Sequence, residues 1–261
     1  MCGRFILVQK LETIEKRFQV TATGIDHKAC YNIGPGMNSL VVTNDNRRIL
    51  QHFRFGLTPH WATKNMLLIN ARTEGDKNTE NDINYHGSKD IINKPAFRKA
   101  IRSQRCLVIA DAFIEGSTEK GLTDAHLVFL RNKVRPFAFA GIWDIWKNPE
   151  TGEITKGFAI ITTVANSLMQ QIPHHRSPVI LEPWQESVWL NSDTPLSDIT
   201  AMLKPYSSDK MNAYKIGPEI KKLQNNYAGL LNPIGNNLID ESDVQIKESL
   251  YRQGFGGKSR N

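Results

Sequence analysis

Along this chain, apolar positions fall mostly in short strand-like runs broken by glycine, proline and asparagine, with few stretches at helical spacing. Residues 2–8 alternate and lean apolar, which predicts a strand that ties the front of the chain into a sheet and holds it in one geometry. Residues 9–18 carry Leu11, Ile14 and Phe18 at helical spacing, and a loop rich in glycine and proline follows at 31–36. Further strands are predicted at 39–43, 49–57, 106–110, 126–130, 137–142 and 157–162. Helices are predicted at 94–101, 164–171 and 182–190, the last because Pro183 suits a first turn. Residues 76–92 are polar and read as a surface excursion that follows a short apolar run at 67–69. Strands without regular intervening helices predict an α+β fold, β-rich with mixed or antiparallel strands and a few peripheral helices.

Composition adds bounds. A chain of 261 residues that is 40% hydrophobic can bury the core of one large domain. Lys+Arg 33 against Asp+Glu 26 leaves a net charge of +7, which suits a polyanionic partner without requiring one. Cys2, Cys30 and Cys106 are odd in number and widely spaced, so the expected compartment is the reducing cytoplasm. Lys10, Glu12, Glu15, Lys16 and Arg17 argue against a signal peptide, and no apolar run reaches membrane-spanning length, so no membrane partner is expected. His174, His175 and the cysteines lack zinc-like spacing, and neither metal nor cofactor is expected.

The chemistry starts at Cys2. Removal of Met1 would place an α-amine and a thiol on adjacent carbons, both with reference pKa values of roughly 8. An aldehyde meeting that pair forms a Schiff base with the amine, and the thiol then closes a five-membered thiazolidine. Taken alone, Cys2 reads more simply as a small residue after an initiator methionine. Asn70 and Arg72 follow an apolar run, and strand alternation would turn both to one face, where they could hold a phosphate and a neighbouring oxygen; a turn asparagine and a solvated arginine is the plainer alternative. Glu115 ends the run Val108–Ile114, where burial would raise a carboxyl pKa and suit proton transfer; an exposed glutamate opening a loop fits equally. His174 and His175 lie between Pro173 and Pro178, face opposite ways in an extended segment, and could carry protons. Trp61 could stack on an unpaired base or pack in the core, and Arg98 belongs to a basic stripe at 97–105.

Taken in order, Met1-Cys2-Gly3-Arg4-Phe5, Tyr31-Asn32-Ile33-Gly34-Pro35-Gly36, Phe55-Gly56-Leu57-Thr58-Pro59-His60-Trp61, Asn70-Ala71-Arg72-Thr73-Glu74, Lys94-Pro95-Ala96-Phe97-Arg98, Asp111-Ala112-Phe113-Ile114-Glu115 and His174-His175-Arg176-Ser177-Pro178 resemble the SRAP family, SOS-response-associated peptidases that sense abasic sites in single-stranded DNA. The resemblance implies a barrel-like SRAP domain over residues 1–234 and a partly flexible extension over 235–261. It implies that Cys2 crosslinks to the ring-opened sugar and that Asn70 orients both. Glu115 would handle protons during loss of Met1 and imine formation, and His174 would act on the sugar oxygen. Arg4, Arg72 and Arg176 match phosphate-contacting positions, and Asn32, Trp61 and Arg98 complete the implied DNA-binding set. The implied partner is single-stranded DNA carrying abasic sites, met in the cytoplasm at the nucleoid; protein partners are unassigned. Gly116 stands where the family usually has an aromatic base-stacking residue, and Phe55 where tryptophan is commoner. A cysteine peptidase acting in trans and a non-catalytic single-strand binder are the rival readings.

Overall fold

The structure is a computed structural model that describes residues 2–131 and 134–240. The strand order runs through β1 (Arg4–Leu7), β2 (Cys30–Ile33), β3 (Asn38–Thr43), β4 (Asn46–Phe55), β5 (Asn70–Arg72), β6 (Arg105–Ala110) and β7 (Ala112–Ser117). It continues in β8 (Gly121–Leu130), β9 (Phe137–Lys147), β10 (Ile154–Val164), β11 (Arg176–Pro178), β12 (Ile180–Leu181), β13 (Met211–Ile216) and β14 (Pro233–Asn237). The helices are short and peripheral: α1 (Leu11–Phe18), α2 (Ala100–Ser103), α3 (Ser167–Gln171), α4 (Pro183–Leu190) and α5 (Leu196–Ala201). Pro183 opens α4, within a capping box between Glu182 and Gln185.

Five strands close on themselves. β10 pairs with β4, β4 with β3, β3 with β6, β6 with β9, and β9 returns to β10. Closure leaves these strands no free edge, and their inward side chains fill the interior. Phe55 stacks on Phe158 at 5.2 Å between ring centroids, and Phe5 of β1 meets Phe55 edge-on at 5.4 Å and Phe139 at 6.1 Å. Burial of one such ring is worth roughly 1.5–3 kcal/mol, so Phe5 fixes the front of the chain against the barrel. The second sheet runs β14-β13-β8-β7-β1-β2, and β7 at its centre is buried on both faces. Phe113, Val128 and Leu130 join the barrel core. Ile114, Leu127 and Phe129 face the opposite way, under Ile220, Leu230 and Leu231.

Four local expectations are corrected. The strand expected at 106–110 is present as β6, but the run Val108–Ile114 is divided between two sheets, because the chain turns at Asp111, whose carboxylate accepts from Val8 N at 2.6 Å and Gln9 N at 3.0 Å. The helix expected at 94–101 is a series of turns that becomes helical only at α2. The loop expected at 31–36 begins as β2, and the short strand after 67–69 consists of Asn70–Arg72 itself. β13 and β14 were not anticipated. β14 crosses the boundary expected at 234, and the remainder of the extension beyond Asp240 lies outside the described residues. Among those residues no helix is long and apolar enough to cross a membrane.

Candidate functional site

β10 organises the site. Its Thr162 pairs with Arg72 of β5 on one edge and with Pro178 of β11 on the other, so the Asn70–Arg72 strand and the His174–Pro178 segment flank one strand. From the second sheet, β1 lies antiparallel to β7 with Arg4 opposite Ile114, which brings the front of the chain alongside Glu115. Four segments distant in sequence therefore supply Cys2, Asn70, Glu115 and His174 to one place.

Cys2 is buried, and Asn70 Nδ2 donates to its carbonyl oxygen at 3.0 Å. Burial pushes the Cys2 thiol well up, and the Glu115 charge adds to this, so the sulfur rests as a thiol. Glu115 is 3% exposed and lies within β7 opposite His126; it does not end the strand as the sequence suggested. Burial lifts its carboxyl to about 7. His174 Nε2 lies 3.4 Å from Glu115 Oε2, while its Nδ1 lies 2.8 Å from the Gly116 carbonyl. A carbonyl can only accept, so Nδ1 carries the hydrogen and Nε2 is the working nitrogen. Burial lowers His174 to about 3. A neutral imidazole with its lone pair toward a carboxyl that titrates near neutrality is suited to passing a proton in either direction. The two histidine rings do not diverge as expected: they stack at 5.2 Å between centroids, with His175 toward solvent and hydrogen-bonded to Thr118.

The expected DNA contacts divide into three groups. Arg4 is half-buried, its Nη1 donating to the Gly3 carbonyl at 3.0 Å, and Gly34 leaves it room, since a Cβ there would lie 2.6 Å from that nitrogen. Arg72 is half-buried and donates to the Asn78 carbonyl and Asn81 Oδ1, each at 2.7 Å. Trp61, 52% exposed, and Arg98, also exposed, share the wall of a surface hollow with His60, Pro95 and Lys99. Asn32, expected at the DNA, is instead wholly buried, and its Nδ2 donates to the carbonyls of Ile220, Lys222 and Asn225, clipping that segment over the second sheet. Arg176, expected at a phosphate, is 2% exposed and paired with Glu74 at 2.8 Å. Burial pushes Glu74 up, but Arg176 outweighs it and holds the carboxyl below its usual range. Nothing local in the sequence signals that pairing: Glu74 closes the Asn70–Glu74 motif, but its partner lies 102 residues further along the chain.

Buried polar atoms cluster around the same strands. Asn70 Oδ1, Arg72 Nε, Thr73 Oγ1, Thr163 Oγ1 and Arg176 Nη1 have no hydrogen-bond partner among the described residues, and such atoms are rare inside proteins unless a ligand or water meets them. No three His, Cys, Asp or Glu side chains converge as a metal site among the described residues.

Residues 1–223 match the protein family described as SOS response associated peptidase (SRAP). The chain is 35% identical over 243 residues to a Bacillus subtilis protein named abasic site processing protein YoqW, covering 88% of this chain and 99% of that one. It is 22% identical over 238 residues to the abasic site processing protein HMCES of Gallus gallus, covering 80% and 67%. Among solved structures, a protein from Bacteroides thetaiotaomicron superposes with a TM-score of 0.72 at 26% identity, covering 85% of this chain and 95% of that one.

Proposed function

The chain belongs to the SOS response associated peptidase family, and from that membership we propose that it captures abasic sites in single-stranded DNA as a covalent thiazolidine at Cys2. The observation that carries the reading is the convergence of Cys2, Asn70, Glu115 and His174 from four segments, with Asn70 on the Cys2 carbonyl and His174 on Glu115.

Chemistry follows from those positions. Loss of Met1 frees the Cys2 amine, with Glu115 accepting a proton from the attacking water and returning it to the departing amine. Single-stranded DNA enters through phosphate contacts at Arg4, Arg72 and Arg98, which position the strand without reading its sequence. Arg176, paired beneath them with Glu74, balances charge in the interior. His174 Nε2 takes the proton of the Glu115 carboxyl and passes it to the ring oxygen of the abasic sugar as its hemiacetal opens to the aldehyde, and the anomeric hydroxyl returns its proton to the Glu115 carboxylate. The Cys2 amine adds to that aldehyde, and Glu115 supplies the proton with which water leaves to form the imine. The thiol then adds across the C=N bond, its sulfur bonding to carbon and its proton passing to nitrogen, and the thiazolidine removes an imine that would otherwise promote strand cleavage.

A thiolate peptidase acting in trans fits less well, because burial and Glu115 both favour the thiol. Processed protein incubated with an oligonucleotide bearing one abasic site should give a heat-stable band on a denaturing gel. Cys2→Ser should leave only an adduct that borohydride traps. A stable, untreated adduct from Cys2→Ala would exclude the thiazolidine.

A further inference from the structure

The hollow beside Trp61 contains an arrangement that the crosslinking chemistry does not use. His60 Nδ1 lies 2.9 Å from Asp144 Oδ2, and the same oxygen accepts from His60 N at 2.9 Å. The other carboxylate oxygen accepts from Gln104 Nε2 at 3.1 Å and Ile145 N at 2.8 Å. Asp144 is buried, so four donors hold it as a fixed anchor that orients the imidazole, with Nδ1–H toward the carboxylate and Nε2 outward, where the imidazolium form would donate Nε2–H to a phosphate oxygen. The space it faces has a volume of about 400 Å³ and is walled by His60, Trp61, Pro95, Arg98 and Lys99. Phe97 is buried just before the two cations, which turns Arg98 and Lys99 outward at its rim. An oriented imidazole, a guanidinium, an ammonium and an exposed indole around one hollow match a phosphodiester and the base attached to it.

β10 measures how far this hollow lies from the reaction centre. Asp144 pairs with Gly157, whereas Asn70 pairs with Ile160 and Arg72 with Thr162. Three to five residues along a strand is about 10–16 Å, a few nucleotide steps. We propose that His60, keyed by Asp144 and joined by Lys99, forms a second phosphate subsite that holds the same single strand a few nucleotides from the abasic sugar. The subsite deepens the single-strand reading above and rests on it for its register to the lesion. Holding the strand at two separated points resists its sliding while the slower covalent step proceeds.

Affinity for a fluorescent single strand without a lesion, titrated across salt, reads the subsite apart from any reaction at Cys2. Lys99→Gln should lower the log–log salt slope by about one. His60→Ala should weaken binding roughly tenfold, and His60→Gln, which keeps a donor in reach, should recover part of the loss. Circular dichroism checks that each variant is folded. On an abasic strand, a methylphosphonate scan should find one linkage a few nucleotides from the lesion whose neutralisation weakens wild type but not His60→Ala, the signature of a direct pair. Wild-type affinity and salt slope in both His60→Ala and Lys99→Gln would overturn the subsite. The predicted losses on the intact strand, found together with no Cys2 crosslink on the abasic strand, would sustain the subsite and count against the crosslinking reading alone.

Discussion

Glu115 shows what the site costs the fold. Its carboxyl titrates at about 7 because burial disfavours the charge, whereas in the unfolded chain it would ionise near 4.5. Between those values the folded chain holds a proton that the unfolded chain has lost, so stability falls as pH rises through the window and levels off above about 7. Glu115→Gln should therefore gain roughly 2–3 kcal/mol on wild type at pH 8 and almost nothing at pH 4.5, read from denaturant midpoints at the two pH values. An equal difference at both would mean that the carboxyl ionises normally. The pair Arg176–Glu74 is the opposite case, since its charges are buried together. Arg176→Ala leaves Glu74 unpaired in the interior and should cost roughly 3–5 kcal/mol, while Arg176→Ala with Glu74→Ala should recover much of it. Recovery of stability in the double variant without recovery of single-strand affinity would separate a direct role for Arg176 at DNA from its role in packing.

At the scale of elements, Gly116 joins the site to the fold. Its carbonyl fixes the tautomer of His174, and a Cβ at this position would sit 1.9 Å from the Gly121 carbonyl oxygen, across the hairpin that joins β7 to β8. The obstacle is backbone, which cannot swing aside as a side chain can. Gly116→Trp, which restores the aromatic common in the family, should lower stability by roughly 3 kcal/mol or more and should not tighten DNA binding; urea denaturation and strand affinity check both. The hairpin also marks where sequence reading ran out. Short apolar runs at 39–43, 137–142 and 157–162 located three strands of the barrel, because runs of that length suit strands buried on both faces. Glu115 was visible as a carboxylate beside an apolar run, but its exit position was misjudged because β6 and β7 are both buried on two faces and their composition does not change at the corner. Only Asp111 marks it, and a single aspartate reads equally as a strand end or a turn. Pairing across the chain, as in Arg176–Glu74 or His60–Asp144, leaves no local trace at all.

For the whole molecule, the barrel supplies β10 with β5 and β11 paired on it, the second sheet supplies β1 and β7, and the reaction centre forms where the two meet. Its geometry is therefore only as rigid as the second sheet, whose far edge is β13 with β14. Residues beyond 234 take part in that edge: Tyr214 pairs with Asn237, Leu238 N donates to the Ala213 carbonyl at 2.8 Å, and Asn212 exchanges hydrogen bonds with both backbone groups of Ile239. Asn212 is wholly buried, so removing Ile239 takes an acceptor from its Nδ2 and a donor from its Oδ1, which also accepts from Ala213 N at 2.8 Å. A chain ending at residue 234, where the resemblance suggested the domain closes, should be less stable than one ending at residue 240 by roughly 2–4 kcal/mol. The loss should reach the site through β8, because His126 and Glu115 are direct cross-strand partners. Crosslinking rate and denaturant midpoint measured on the two truncations check this together, and equal values would place the end of the cooperative unit at 234. A shorter chain that loses stability yet crosslinks at the rate of the longer one would instead mean that the β7–β1 contact holds Glu115 and Cys2 in place without support from the far edge.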